Sequence, residues 1–169
     1  MVLQRGHDLP IDQFIEGPYP VYGSNGVIGY HNQYTTVGPS ITVGRSGSVG
    51  EVNYIEGNFW AHNTALYAKV FLRAIPKFAY YLLKALDVKY LSEGTAVGTL
   101  NRNYIHNLFI PLPSLSEQIE IVLFLDHETA QIDALIDKVK ASIEKLSEYR
   151  NALISAAVTG KIDVREEAA

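Results

Sequence analysis

Cysteine is absent from the chain. That one absence removes disulfides, thiolate metal sites and cysteine nucleophiles. Long apolar runs are missing as well: no stretch reaches the roughly 20 residues that a membrane helix needs, and Met1-Val2-Leu3-Gln4-Arg5 lacks the apolar centre of a secretory signal. A cytoplasmic location is the expectation. Histidine is sparse, and His7, His31, His62, His106 and His127 show no metal-ligand pairing. His62 lies among strand-like residues close to Trp60, where a histidine is more often a hydrogen-bonded core residue than a base. Phosphate-binding signatures also fail. Gly44 to Gly50 is rich in glycine, but it lacks the Gly-Lys-Ser/Thr ending of a Walker loop and runs into strand-like Glu51-Val52-Asn53-Tyr54-Ile55 rather than a helix. The stretch "GNFW" at Gly57–Trp60 lacks the prolines of the adenine-methyltransferase tetrapeptide, and no glycine-rich cofactor loop accompanies it. With no assembled nucleophile, base or metal set, the chain is read as non-catalytic.

Charge is in short supply and unevenly placed. Charged residues make up 19% of 169, and the net charge is −4. Residues 1–114 hold eight Lys+Arg against seven Asp+Glu, whereas residues 115–169 hold six against eleven. The second part is therefore ill suited to lie along a phosphate backbone, while the first, near neutrality, has room for a local basic face.

What is present reads as α+β: a small domain with a twisted, mainly antiparallel sheet, followed by a long coiled-coil-forming helix. "YPVYGSNGVIGYHN" carries a hairpin signal, with Asn25-Gly26 as the expected turn. Ile41–Val43, Val52–Ile55 and Ala65–Val70 favour strands through branched and aromatic side chains. The segment between the first two, "GRSGSVG", reads as a glycine-rich hairpin loop. Pro76 suits the first turn of a helix whose apolar face would be Phe78, Tyr81, Leu82, Ala85 and Leu86. After the loop-like "EGTAVGTLNRN", Tyr104–Ile110 has the composition of a returning strand.

Pro111-Leu112-Pro113 ends the domain, and Ser114-x-x-Glu117 has the form of a capping box at the start of a helix. Leu125, Ile132, Val139, Leu146 and Leu153 recur every seven residues, with Ile136 and Ile143 in the intervening step. This seam predicts a dimerisation face, namely Leu125, Ile132, Ile136, Val139, Ile143 and Leu146. Gly160 is the expected stop. The boundaries that follow are 1–113 for the domain, 114–160 for the helix and 161–169 for a tail.

Binding chemistry is better represented than catalysis. Arg5, Arg45 and Arg102 lie in glycine- or asparagine-rich surroundings, and arginine can clamp a phosphate or donate twice to guanine. Ser46 and Ser48 sit beside Arg45, and Ser24, Asn25, His31, Asn32 and Asn103, with His7, complete a set of candidate ligand contacts. From residues alone, a coiled-coil adaptor whose α+β head binds protein or glycan stays open.

The order of "YPVYGSNGVIGYHN", "ITVGRSGSVGEVNYIEGNFWAHNTALY", "GTAVGTLNRNYIHNLFIPLPSLSEQ" and "IDALIDKVKASIEKLSEYRNALISAAVTGKIDVR" resembles the DNA-specificity subunit of type I restriction-modification systems. Gly98 stands where that family commonly has proline. The resemblance implies one target-recognition domain and one conserved spacer helix, as in a half-subunit. It further implies a homodimer on double-stranded DNA, a modification methyltransferase subunit that supplies S-adenosylmethionine chemistry, a restriction subunit that cleaves, and no membrane partner.

Overall fold

The computed structural model describes residues 1–92 and 98–163. The whole "EGTAV" stretch and the tail from residue 164 lie outside the described residues. The chain divides into two compact units, Met1–Val122 and the segment from Leu123 onward.

The first unit contains two sheets where one was expected. Strands β1 (Val2–Arg5), β4 (Ser40–Gly44), β5 (Val52–Ile55) and β7 (Ala65–Val70) form an antiparallel sheet in the order β1-β7-β4-β5. Strands β2 (Tyr19–Gly23), β3 (Gly26–His31) and β6 (Trp60–Ala61) form a second sheet in the order β3-β2-β6, in which β2 and β6 are parallel. The central strand β4 is buried along its whole length, which suits its branched residues Ile41, Thr42 and Val43. Ile41 and Val43 join Leu3, Val52, Leu66, Leu83 and Leu100 in the main core. A smaller core of Ile55, Phe59, Ala61 and Tyr67 lies beside Tyr22.

Helix α1 (Pro76–Ala85) opens with its proline in the first turn, as read from the sequence, but buries Phe78, Ala79 and Leu83. Of the expected face of Phe78, Tyr81, Leu82, Ala85 and Leu86, Phe78 is buried, Tyr81 and Leu82 are half-buried, and Ala85 and Leu86 are exposed. Tyr80 packs on Tyr54 of β5 with ring centroids 6.1 Å apart, and small Ala79 lets the helix approach the core. A second correction concerns Tyr104–Ile110. Arg102–His106 is a short helix, α2, because the Asn101 side chain accepts the Asn103 N–H at 3.0 Å and caps it, and Ile105 is drawn into the core. The hairpin turn is also shifted by one residue: Gly23 pairs with Gly26, so the turn residues are Ser24 and Asn25.

Helix α3 spans Leu115–Val158. Its capping box is formed as expected: the Ser114 N–H donates to Glu117 Oε2 at 2.8 Å and the Glu117 N–H donates to Ser114 Oγ at 3.3 Å. The Ser114 hydrogen bonds hold the Glu117 carboxyl below its ordinary pKa. The first unit extends eight residues into this helix. Gln118 and Val122 are buried there, and Gln118 Nε2 donates to the carbonyls of Arg73 (2.9 Å) and Pro113 (3.0 Å) while its Oε1 accepts the Ile75 N–H (2.9 Å).

In the second unit, the rest of α3 ends at Gly160, whose φ of 71° lets the Lys161 N–H reach back to the Ala156 carbonyl at 2.8 Å. Ile132, Ile136, Val139, Ile143 and Leu146 are 43–67% exposed. Leu125, at the start of the same stripe, is half-buried. No helix among the described residues is long and apolar enough to cross a membrane.

Candidate nucleic-acid interface

The ends of several strands of the first unit meet at one turn, His62-Asn63-Thr64, between β6 and β7. The Thr64 carbonyl accepts the backbone N–H groups of Arg45 (2.9 Å) and Ser46 (3.2 Å), at the start of the loop that follows β4. The His62 N–H donates to the Tyr22 carbonyl at 2.9 Å, near the end of β2. On the other side, the His7 N–H donates to the Ala61 carbonyl at 2.7 Å, and the Asn63 amide donates to the Asp8 carboxylate. This short turn therefore ties Arg45 and Ser46, the end of β2 that leads into Ser24–Asn25, and Asp8.

The Arg45–Gly50 loop is the hairpin read from the sequence. It is tied by Gly44 N–H to the Glu51 carbonyl at 2.7 Å and by Gly50 N–H back to the Gly44 carbonyl at 2.9 Å. Gly44 is a close approach between two loops, since a side chain there would strike the carbonyls of Ser24 and Ser48. Ser24 therefore lies against the Arg45–Ser48 loop. The Arg45 carbonyl accepts the Leu100 N–H at 2.8 Å, which anchors the segment leading into Arg102 and Asn103. Among the candidate residues, Ser24, Arg45, Ser46 and Ser48 are thus linked by direct contacts, and Leu100 leads from Arg45 toward Arg102 and Asn103, where Arg102 lies near His106.

The electrostatics single out two of the three candidate arginines, Arg5, Arg45 and Arg102. Arg45 is half-exposed and Arg102 exposed, and neither has a carboxylate partner among the described residues. Arg5 is ion-paired with Asp8 at 3.5 Å, both side chains being mostly exposed. Such a pair contributes little to stability, but it shields Arg5 from an incoming phosphate. Burial and nearby Tyr30 raise the pKa of the Tyr22 hydroxyl above its ordinary value, so it stays a neutral donor.

The remaining candidates are placed differently. His7 is exposed, its ring 6.3 Å from that of Trp60 and 6.0 Å from that of Tyr67. His31 is a correction: it is buried at the far end of β3, its Nδ1 accepts the Ile15 N–H at 3.1 Å, and its ring meets Trp60 edge-on at 5.2 Å. With one nitrogen committed to the backbone and the ring enclosed, it reads as a packing residue. Asn32 is exposed beside it, at the end of the β2–β3 hairpin opposite Ser24 and Asn25. His106 accepts the Leu3 N–H on Nε2 at 2.9 Å; partial burial, Arg102 and the chain's amino group lower its pKa. What the sequence reading missed is the His62–Thr64 turn itself. Its signal was the run of His, Asn and Thr between two strand-like stretches, a polar turn rather than a core segment.

Comparison with known proteins decides the family. Residues 13–145 match the model of the type I restriction modification DNA specificity domain. The chain belongs to that family. It is 30% identical over 120 residues to a candidate type I restriction enzyme specificity subunit of Haemophilus influenzae, covering 69% of this chain and 31% of that protein. It is 26% identical over 155 residues to the EcoprrI specificity subunit of Escherichia coli, covering 87% and 39%. The chain thus spans between three- and four-tenths of the length of these curated relatives. The fold of the type I specificity domain is shared with the S subunit from M. genitalium, at a TM-score of 0.67 and 24% identity over 91% of this chain and 43% of that one. It is shared equally with a chain of a type I restriction-modification assembly, at 0.75 and 19% identity over 92% and 42%. The HsdS subunit of Thermoanaerobacter tengcongensis matches at 0.61 and 20% identity over 79% and 36%.

Proposed function

We propose that this specificity domain reads double-stranded DNA through the loops gathered at the His62–Thr64 turn, and that it works as a homodimer through the exposed stripe of α3. The chain performs no chemistry in this reading. A modification methyltransferase subunit supplies S-adenosylmethionine and acts on adenine extruded from the duplex, and a restriction subunit cleaves. The observation that carries the proposal is that residues 13–145, which match the specificity domain, include every loop of the cluster except Gly6–Asp8. The guanidinium groups of Arg45 and Arg102, which have no carboxylate partner among the described residues, support it, since arginine serves both phosphate and guanine.

The stripe of α3 supports the dimer. Five branched side chains lie largely in water in the single chain, and each contributes about 1.5–3 kcal/mol when fully buried. A second copy related by a twofold axis offers the same stripe in return. An antiparallel pairing would set two identical readers apart by a fixed length of helix, so the target would be an inverted repeat with a gap.

Titration of the full chain on a random duplex library at two salt concentrations tests the reading. Affinity that falls steeply with salt, with enrichment of a two-part inverted repeat, is expected. Absence of DNA binding, with retention of a protein or glycan ligand instead, would replace it with the adaptor reading.

A further inference from the structure

The turn that gathers the loops carries a side chain of its own whose protonation pattern is set by its neighbours. His62 Nδ1 lies 3.0 Å from Thr64 Oγ1 and 3.5 Å from the Thr64 backbone N–H. A backbone N–H can only donate, so the nitrogen it faces is the unprotonated acceptor. The hydroxyl can donate to the same nitrogen. A neutral imidazole with its lone pair on Nδ1 bears its hydrogen on Nε2. That Nε2–H has no partner among the described residues, and it is not an enclosed orphan: the buried side-chain polar atom left unpaired among those residues is Thr36 Oγ1. His62 is half-buried and reaches solvent on a turn whose backbone is fixed to Tyr22, Arg45 and Ser46.

We infer that His62, held as the Nε2–H tautomer by Thr64, donates a hydrogen bond to an acceptor on the DNA from the middle of the reading loops. The inference rests on the DNA-reading proposal and names a further contact within it. A donor with a single fixed direction, on a turn braced by hydrogen bonds to its neighbours, is preorganised for recognition in a way that a long flexible lysine is not. It differs from the buried His31, whose accepting nitrogen is used for packing alone. The acceptor is a phosphate oxygen or a purine N7 or O6, and the two give different patterns of loss.

The experiment compares the full-length chain with its His62→Ala, His62→Gln and Thr64→Val variants on the selected target and on every single-base variant of it. His62→Ala should weaken binding about tenfold. A loss confined to one base position assigns a base edge, and a loss uniform across sequences assigns a phosphate. His62→Gln, whose amide N–H lies near the place of Nε2, should recover most of the binding, which a merely structural role would not allow. Thr64→Val should give an intermediate loss. Long-range proton–nitrogen NMR correlations of the free protein report the tautomer without DNA, and the Nε2–H form is expected. Binding by His62→Ala within twofold of wild type, failure of His62→Gln to recover what alanine loses, or an Nδ1–H tautomer would each overturn the assignment. A wild-type chain that binds no DNA while showing the Nε2–H form would overturn the DNA-reading proposal itself, and the contact with it.

Discussion

Replacing Gln118 with leucine should destabilise the first unit by about 2–3 kcal/mol, and the structure says where that figure comes from. Gln118 is fully buried and joins three backbone groups that have no secondary structure to serve them: the N–H of Ile75, ahead of α1, and the carbonyls of Arg73 and Pro113. Leucine has nearly the same volume and leaves all three without a partner. A buried polar group stripped of its hydrogen bond costs about 1–3 kcal/mol. These groups are partly accessible to water, so values near 1 apply, and three of them give roughly 3 kcal/mol, from which the apolar leucine recovers a fraction. A loss of that size is a large share of the 5–15 kcal/mol typical of a domain. Urea unfolding of the variant should shift the midpoint by about 1 M.

Gln118→Glu sharpens the test. One carboxylate oxygen can still accept from Ile75, but the other would face two carbonyls, so burial and the lack of a donor raise the folded-state pKa. A raised pKa means that the protonated form is favoured in the fold. Stability should therefore be greatest at acid pH and be lost as pH rises through the raised value. A leucine variant with an unchanged midpoint, or a glutamate variant as stable as wild type at neutral pH, would refute the claim that this side chain docks the start of α3.

Further outcomes concern Arg45, the stripe of α3 and His106. Arg45→Ala should weaken DNA binding across sequences and reduce the salt slope by about one; an unchanged slope would remove Arg45 from the phosphate contacts. Val139→Asp should convert a dimer to a monomer in sedimentation at micromolar concentration, and removal of seven residues from the helix should shorten the gap in the preferred target; a wild-type monomer would refute the pairing. His106 has a folded pKa below its ordinary 6.5 because its accepting Nε2 is partly buried and lies near positive charge. The unfolded chain therefore takes up the proton first, so His106 lowers stability as pH falls from about 6.5 through the folded value and changes nothing further below it. The stability difference between wild type and His106→Leu should narrow over that window in urea titrations, and a pH-independent difference would count against the Leu3 contact.

The features legible in the sequence are those whose cause is local. Ser114 and Glu117 satisfy each other's amides within one turn, and the strands Val52–Ile55 and Ala65–Val70 have the bounds their side chains suggest. The misreadings came where a local preference met a competing one. Tyr104, Ile105 and Phe109 favour a strand, yet Asn101 supplies an N-cap and Ile105 is drawn into the core, so a turn of helix forms and Phe109 is left fully exposed. On α1, aromatic and leucine positions suggested a face that the pairing of Tyr80 with Tyr54, and the close approach at Ala79, turned aside.

The candidate site divides the same way. Its residue types were readable one by one, because arginine, asparagine and serine on glycine-rich loops have few other uses than turns and ligands. Their convergence was not, because it depends on strand order: β7 sits between β1 and β4, and this brings Thr64 to the backbone of Arg45 and Ser46. The same geometry separates two histidines that looked alike in the sequence. His31 lends its Nδ1 to Ile15 and is enclosed, whereas His62 lends its Nδ1 to Thr64 and keeps its other nitrogen at the surface of the loop cluster. Proximity to Trp60 in the sequence pointed to a core role for His62, but in the fold the histidine rings against that indole are those of His31 and His7.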